Sequence, residues 1–313
     1  MTAITKDTRP HFAHFLDMCE PLPPLRTAVI CPEKTAALEG ALEARDENLI
    51  TPILVGHRGR IEKTTSDMDV DISDLEIVEA DDEETAAHRG VDLVAGGDAQ
   101  ALMKGHIHSD TYLAAVIRKE NGLRSNTRTS HCFVMDVPNW PRPVIITDAA
   151  LNVAPDVKNK ISITQNAINM ARALGIDTPK AAILSATETP NPGIPSSVEA
   201  REVADAAKRG DITGGLVDGP FALDNAVSKE AAKLKGIESP VAGDADIFVV
   251  PTVEAGNIFF KALTFMGGGE TAGLVVGASA PVILTSRADS AEARIASAAL
   301  AVLYAKYLEE QSS

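Results

Sequence analysis

Aromatic residues are scarce in this chain, at 4% of 313 positions. A core must therefore be filled mostly by Ala, Val, Ile and Leu. Cysteine is nearly absent too: Cys19, Cys31 and Cys132 show no C-x-x-C spacing and no metal-ligand pattern, which points to reduced thiols in a cytoplasmic protein. No apolar run is long enough to cross a bilayer; even "GLVVGASAPVILTS" is short and holds a proline. His11 and Asp17 stand where a signal peptide would need a basic start and an apolar run, so a soluble, unprocessed chain is expected. Positive charge is in deficit, with 29 Lys and Arg against 44 Asp and Glu and a formal net charge of -15. Like-charge repulsion then argues against nucleic acid or an anionic membrane as a partner. A small anionic substrate would need a local cluster of Arg or Lys.

Several motifs are also missing. There is no G-x-x-x-x-G-K-[ST] loop, no H-E-x-x-H and no G-x-S-x-G elbow, which removes the commonest nucleotide, zinc-protease and serine-hydrolase readings. The triplet Gly267-Gly268-Gly269 follows a helical stretch and reads as a helix cap and loop, not as a dinucleotide fingerprint. His106 and His108 form an H-x-H pair with no third ligand in view, so no metal is expected.

What the chain does have is alternation. Short apolar runs, "TAVIC", "PILVG", "LEIVEA", "VDLVAGG", "CFVMDV", "PVIITDAA", "KAAILSA", "GGLVDGP", "DIFVVP", "AGLVVG" and "PVILTS", are separated by stretches of helical period such as "PEKTAALEGALEAR", "ITQNAINMARALG" and "EAGNIFFKALTFM". Near-continuous Val, Ile and Leu suits strands buried on both faces of a parallel sheet. The pattern predicts an α/β fold with mostly parallel sheets, and the length suggests two domains. We expect 1–150 plus 281–313 in the first domain and 151–280 in the second. In the closing helix, Ile295, Ala299, Val302 and Leu303 fall on one face and Arg294 and Ser297 elsewhere.

Open α/β sheets bind ligands beyond the carboxyl ends of their strands, so the polar residues after each run are the ones to weigh. Ser286 and Arg287 end "PVILTS" just before a helix that Asp289 and Glu292 would open with an approximate capping box near Ser290. Free N–H groups and the helix dipole there favour an anion, and a guanidinium adds a fork matched to phosphate oxygens. The alternative is a surface ion pair. Lys104 follows "ALM" and is either an electrostatic ligand or a solvated lysine. Asp148 in "TDAA" and Asp218 in "VDGP" are caps, turn formers or bases. Asp224 and Asn225 read as a helix start, and Glu254 and Asn257 as a first helical turn.

These strand ends together, "LMKGHIHS", "GLRSNTRTSH", "VIITDAALNVAPD", the block from "ITGGLVDGPFALDNA" to "PTVEAGNIFFKALT", and "PVILTSRADSAEA", resemble the phosphate acetyl/butyryltransferase family. The likeness is closest to the phosphate butyryltransferases and runs from about Val94 to the C-terminus. The resemblance implies reversible transfer of an acetyl, propionyl or butyryl group between coenzyme A and orthophosphate, giving an acyl phosphate. It further implies two doubly wound α/β domains of the isocitrate-dehydrogenase-like type, an active site in the interdomain cleft, a homodimer, and coenzyme A as a substrate with no cofactor. By that likeness Arg287 would hold the phosphoryl group and Ser286 would hydrogen-bond the reacting oxygen. Lys104, His108, Asp148, Asn152, Asp218 and Asn257 would bind substrate. Acetyltransferase relatives carry an Asp in the following helix as proton acceptor for the thiol, where this chain has Ala293. Glu292 is then the candidate base. The competing reading is a non-catalytic domain that binds acyl-CoA or acyl phosphate.

Overall fold

A computed structural model describes residues 4–120, 122–125, 127–284 and 289–312. The chain divides into two compact units, Met1–Asn126 with Ala272–Ser313, and Thr127–Thr271.

The first unit runs α1 (Pro10–Cys19), β1 (Leu25–Ile30), α2 (Thr35–Asp46), β2 (Ile50–Gly56), α3 (Arg58–Met68), β3 (Glu76–Glu79), α4 (Glu83–Gly96), β4 (Ala101–Lys104) and α5 (Ser109–Val116). The second holds β5 (Ser130–Asp136), β6 (Val144–Thr147), α6 (Val157–Ala173), β7 (Lys180–Leu184), α7 (Pro195–Lys208), β8 (Leu216–Phe221), α8 (Leu223–Val227), α9 (Lys229–Leu234), β9 (Ile247–Val249) and α10 (Val253–Phe265). From β10 (Glu270–Val276) the chain re-enters the first unit with β11 (Val282–Ile283) and α11 (Ala291–Ser312).

Strand order in the first unit is β3-β2-β1-β4-β11-β10. All neighbours there are parallel except β10 with β11. The helices that cover this sheet make the buried, nearly all-apolar β1 understandable, since parallel strands are covered on both faces. In the second unit the order is β5-β6-β9-β7-β8, parallel apart from β5 with β6. Its core gathers Met135, Ile146, Leu184, Phe221, Phe248 and Val250. The first change of unit falls between Asn126 and Thr127, ahead of β5, whereas the sequence reading places it between 150 and 151. The β5–β6 and β6–β9 ladders hold both strands in the second unit.

Three local expectations need correction. "VDLVAGG" is not a strand but the end of α4: Asp82 accepts a cap hydrogen bond from Thr85 N at 2.8 Å, and Ala86, Ala87, Gly90 and Val91 form the buried stripe. The strand of that region is the short "ALMK" of β4. In α11, Ser297, which falls off the predicted apolar face, is nevertheless 2% exposed; its Oγ donates to Ala293 O at 2.7 Å and accepts from Gly273 N at 3.0 Å. This helix is buried nearly all round, from Ala293 to Leu303, as a helix at the centre of a unit must be. Its cap is Ser290, whose Oγ accepts from Ala293 N at 3.0 Å. Among the described residues no helix is long and apolar enough to cross a membrane.

Candidate active site

In the first unit β1 has β2 on one side and β4 on the other, so the winding direction reverses between β1 and β4. Beyond the carboxyl ends of such strands an open α/β sheet leaves a crevice. Backbone contacts fix this point. Gly105 N donates to Ile30 O, and His106 N to Cys31 O, each at 2.8 Å. A Cβ on Gly105 would stand 2.3 Å from Ile30 O, so only glycine lets β4 leave this close to β1. On the other side of β4, Ile283 of β11 is in register with Met103.

A cavity of about 400 Å³ opens at this edge, lined by Lys34, Thr35, Gly40, Lys104, His106 and Arg294 among others. Among the described residues its wall contains no carboxylate. Lys104 is 8% exposed, with its Nζ 3.4 Å from Gly105 O. Lys34 is the N-cap of α2 and makes no side-chain cap bond, which leaves first-turn N–H groups of that helix for another acceptor. A second cavity, of about 560 Å³, adjoins the same loop after β1 and mixes signs: Arg60 and Lys63 face Glu33, Asp67, Asp82 and Glu83. The carboxylate-free cavity is the better anion receptor, since both the helix dipole and the side chains favour negative charge there.

Arg294, in the first turn of α11, donates to Glu43 Oε2 and to Asp289 O, both at 2.9 Å. Its Nε is buried without a hydrogen-bond partner. His108 is the N-cap residue of α5; its backbone N donates to Glu83 Oε2 at 3.2 Å and its side chain is exposed. Glu292 lies half-buried in the first turn of α11, next to Ala293, which is 3% exposed. Ser286 and Arg287 lie outside the described residues. Among the described residues no group of three or more His, Cys, Asp or Glu is placed to hold a metal ion.

In the second unit the chain turns sharply after β6 around Asp148, which is 2% exposed. Its Oδ1 accepts from Ala150 N and Leu151 N at 2.9 Å. Its Oδ2 accepts from Asn152 Nδ2 at 2.6 Å, Asn152 N at 3.2 Å and His131 N at 3.3 Å. Every lone pair is thus turned to protein donors, and the residue is a turn former and anchor rather than an open base. Asn152 also donates to Thr129 O at 3.0 Å and accepts from Arg128 Nε at 2.7 Å. The first turn of α10 meets this loop, with Val253 N donating to Val153 O at 2.9 Å. Gly256 lets it pack on Ala149, since a Cβ would stand 2.6 Å from the Ala149 Cβ. Asn257 follows, half-buried, one turn into the helix.

Asp218 is elsewhere. It sits inside β8, beside Ala182 of β7, and so lies three strand spacings from β6, roughly 14 Å at about 4.8 Å each. Its carboxylate pairs with Arg201 at 3.4 Å and accepts from Gly219 N at 2.8 Å. Asp148 and Asn152 are therefore brought together and Asp218 is not. Three residues that shape these strand ends went unassigned in the sequence: Gly105, Arg294 and Arg128. The last carries no local signal, because its partners are 20 and more positions away.

Comparison with known proteins identifies the family. The family model described as "Phosphate acetyl/butaryl transferase" matches residues 83–302. A phosphate acetyltransferase of Rhizobium meliloti is 47% identical over 282 residues, 90% of this chain and 89% of the relative. A phosphate butyryltransferase of Clostridium beijerinckii is 42% identical over 295 residues, 94% and 98% of the two chains. Among solved structures, a branched-chain phosphotransacylase from Enterococcus faecalis V583 superposes with a TM-score of 0.77 at 35% identity, covering 90% of this chain and 99% of the other. The match over most of the chain establishes that the protein belongs to the phosphate acetyl/butaryl transferase family.

Proposed function

We propose that this protein is a phosphate acyltransferase that moves a short acyl group reversibly between coenzyme A and orthophosphate. The observation that carries the reading is the carboxylate-free cavity of Lys34, Lys104 and Arg294 at the β1–β4 edge of a chain whose net charge is -15. Such a spot is a local receptor for phosphate in a molecule that otherwise repels anions. In the forward direction a phosphate oxygen attacks the thioester carbonyl carbon. The C–O bond forms, the C–S bond breaks, and the departing thiolate ends with the proton that the attacking hydrogen phosphate gives up. Charge accumulates on the carbonyl oxygen, where one aimed donor is worth about 3 kcal/mol.

Ser286 is assigned to that oxygen and Arg287 to the phosphoryl group. Glu292 is assigned to the thiol proton because the neighbouring Ala293 cannot carry it. Transfer within a ternary complex needs only positioning and charge stabilisation, and a free thiol is already a few per cent thiolate near neutral pH. Coenzyme A is a substrate, and the reaction calls for no further cofactor. A homodimer fits the apolar side chains that α10 and its end leave exposed, Ile258, Phe265 and Met266, because such a patch favours burial against a second copy. Three free, buried cysteines suit a reducing, cytoplasmic setting.

The test is phosphate-dependent release of CoA thiol from acetyl-, propionyl- and butyryl-CoA, with a phosphate-free control. Rapid release that requires phosphate and is lost in Arg287→Ala supports the assignment; no release from folded protein with any of the three overturns it. The protein's own thiols will not obscure a colorimetric readout, since burial pushes Cys19, Cys31 and Cys132 up to about 12. In Glu292→Gln, the alkaline limb of the rate-pH profile for thiol release should change, because a group that protonates the departing thiolate must itself carry the proton, and an unchanged profile removes Glu292 from the mechanism.

A further inference from the structure

Arg128 lies two residues before β5. That strand runs antiparallel to β6, so its start is at the edge where β6, β9, β7 and β8 end. Its side chain is exposed, and an exposed arginine is ordinarily free to move. This one is not. Its Nε donates to Asn152 Oδ1 at 2.7 Å, and its carbonyl accepts from Asn166 Nδ2 at 2.8 Å. Asn152 is 4% exposed and is held in turn by the buried Asp148 carboxylate at 2.6 Å. Asn166, 2% exposed, is fixed on α6 by a second bond to Ser130 Oγ at 3.0 Å.

The consequence is an oriented fork. With Nε tied to Asn152, the end of the planar guanidinium that carries the two terminal nitrogens is left for another acceptor, and among the described residues neither has a hydrogen bond to a carboxylate or carbonyl. The planar guanidinium matches the spacing of two phosphate oxygens. A buried carboxylate acting through an amide to orient a binding group is the same device that fixes histidines at metal sites. The ordering that a flexible arginine would lose on binding is already complete in the free protein.

We propose that Arg128 binds a phosphoryl group of a substrate, and that Asp148 and Asn152 are its positioning residues. The proposal rests on the acyltransferase reading for the identity of that substrate, which is either orthophosphate or one of the phosphates of coenzyme A. It gives Asp148 and Asn152 an indirect part in substrate binding.

Binding separates this from the reaction itself. Calorimetric titrations of wild type and Arg128→Ala with orthophosphate, CoA and dephospho-CoA read affinity without turnover. Loss of a charge-assisted contact should weaken at least one ligand about tenfold or more. Weakened orthophosphate alone assigns Arg128 to the inorganic phosphate; weakened CoA but not dephospho-CoA assigns it to the 3′-phosphate; weakening of both assigns it to the pyrophosphate. Arg128→Lys should restore only part of the affinity, since it returns charge without the fork. In turnover, KM for the same ligand should rise with kcat nearly unchanged. Asn152→Ala should reproduce the loss, and adding it to Arg128→Ala should change little more. Affinities within twofold of wild type for all three ligands in Arg128→Ala overturn the proposal, whether or not the wild type shows phosphate-dependent thiol release. A wild type that binds none of them overturns it too.

Discussion

The Arg294 guanidinium meets the Glu43 carboxylate at 2.9 Å, joining the first turn of the last helix to α2 across 251 positions of sequence. The pair sits mostly out of water, with side-chain exposures of 14% and 28%. Gly40 makes room for it: a Cβ there would stand 2.6 Å from Arg294 Cδ. One wall of the cationic cavity is thus set by an ion pair with a close-packed stem beside it. Removing the carboxylate leaves a charge with poor access to solvent, and breaking a fully buried pair costs on the order of 3–5 kcal/mol. Partial exposure reduces that, so Glu43→Ala should lower stability by about 1–3 kcal/mol. Urea unfolding checks this, and a variant as stable as wild type would mean that the pair holds nothing in place.

The ring of His131 is 1% exposed and its Nδ1 has no hydrogen-bond partner. Burial pushes its pKa down to about 4, with the Asp148 charge acting in the opposite direction. The unfolded chain takes up this proton near 6.5, before the folded one does. This contribution is therefore full above about 6.5 and is lost as the pH falls toward about 4. The urea midpoint of the wild type should drop between pH 7.5 and pH 5. In His131→Gln that slope should be smaller, even if absolute stability is lower. Equal slopes would show that the ring is not buried neutral.

The comparison of sequence with structure turns on distance along the chain. Alternation of apolar runs with helical stretches was legible, because it depends on neighbours a few positions apart. So was the end of a strand at Lys104, which needed only a short apolar run before it. The run "VDLVAGG" misled because its apolar content fits either period; the Asp82 cap nine positions before its first residue decides for helix. Asp218 read as a strand end, yet it lies within β8 and is engaged by Arg201 of α7. Arg128 was not legible at all. What distinguishes it from any surface arginine is a chain of contacts through Asn152 to Asp148, and no spacing rule predicts that. Ser286 and Arg287 rest on the strand-to-helix pattern and on the family likeness, since they lie outside the described residues.

Gly105 gives the most direct test that the β1–β4 edge positions the chemistry. Its N–H reaches Ile30 O at 2.8 Å, and an added Cβ would stand 2.3 Å from that oxygen and 2.6 Å from Cys31 O. Backbone atoms cannot swing aside as a flexible side chain can, so Gly105→Ala must push the exit of β4 away from β1. Overpacking of this kind costs about 1–3 kcal/mol. The displacement carries Lys104 and His106 with it, and misplacement by about 1 Å can cost on the order of a hundredfold in rate. Phosphate-dependent thiol release should therefore fall by at least about tenfold, while enough protein stays folded to assay. Gly96→Ala is the control. It lies at the end of α4, where the nearest atom to a new Cβ is Asp98 Oδ2 at 3.7 Å, and alanine there should leave turnover unchanged. Equal turnover in the two variants would place the reacting groups away from this edge and remove Lys104 from the site.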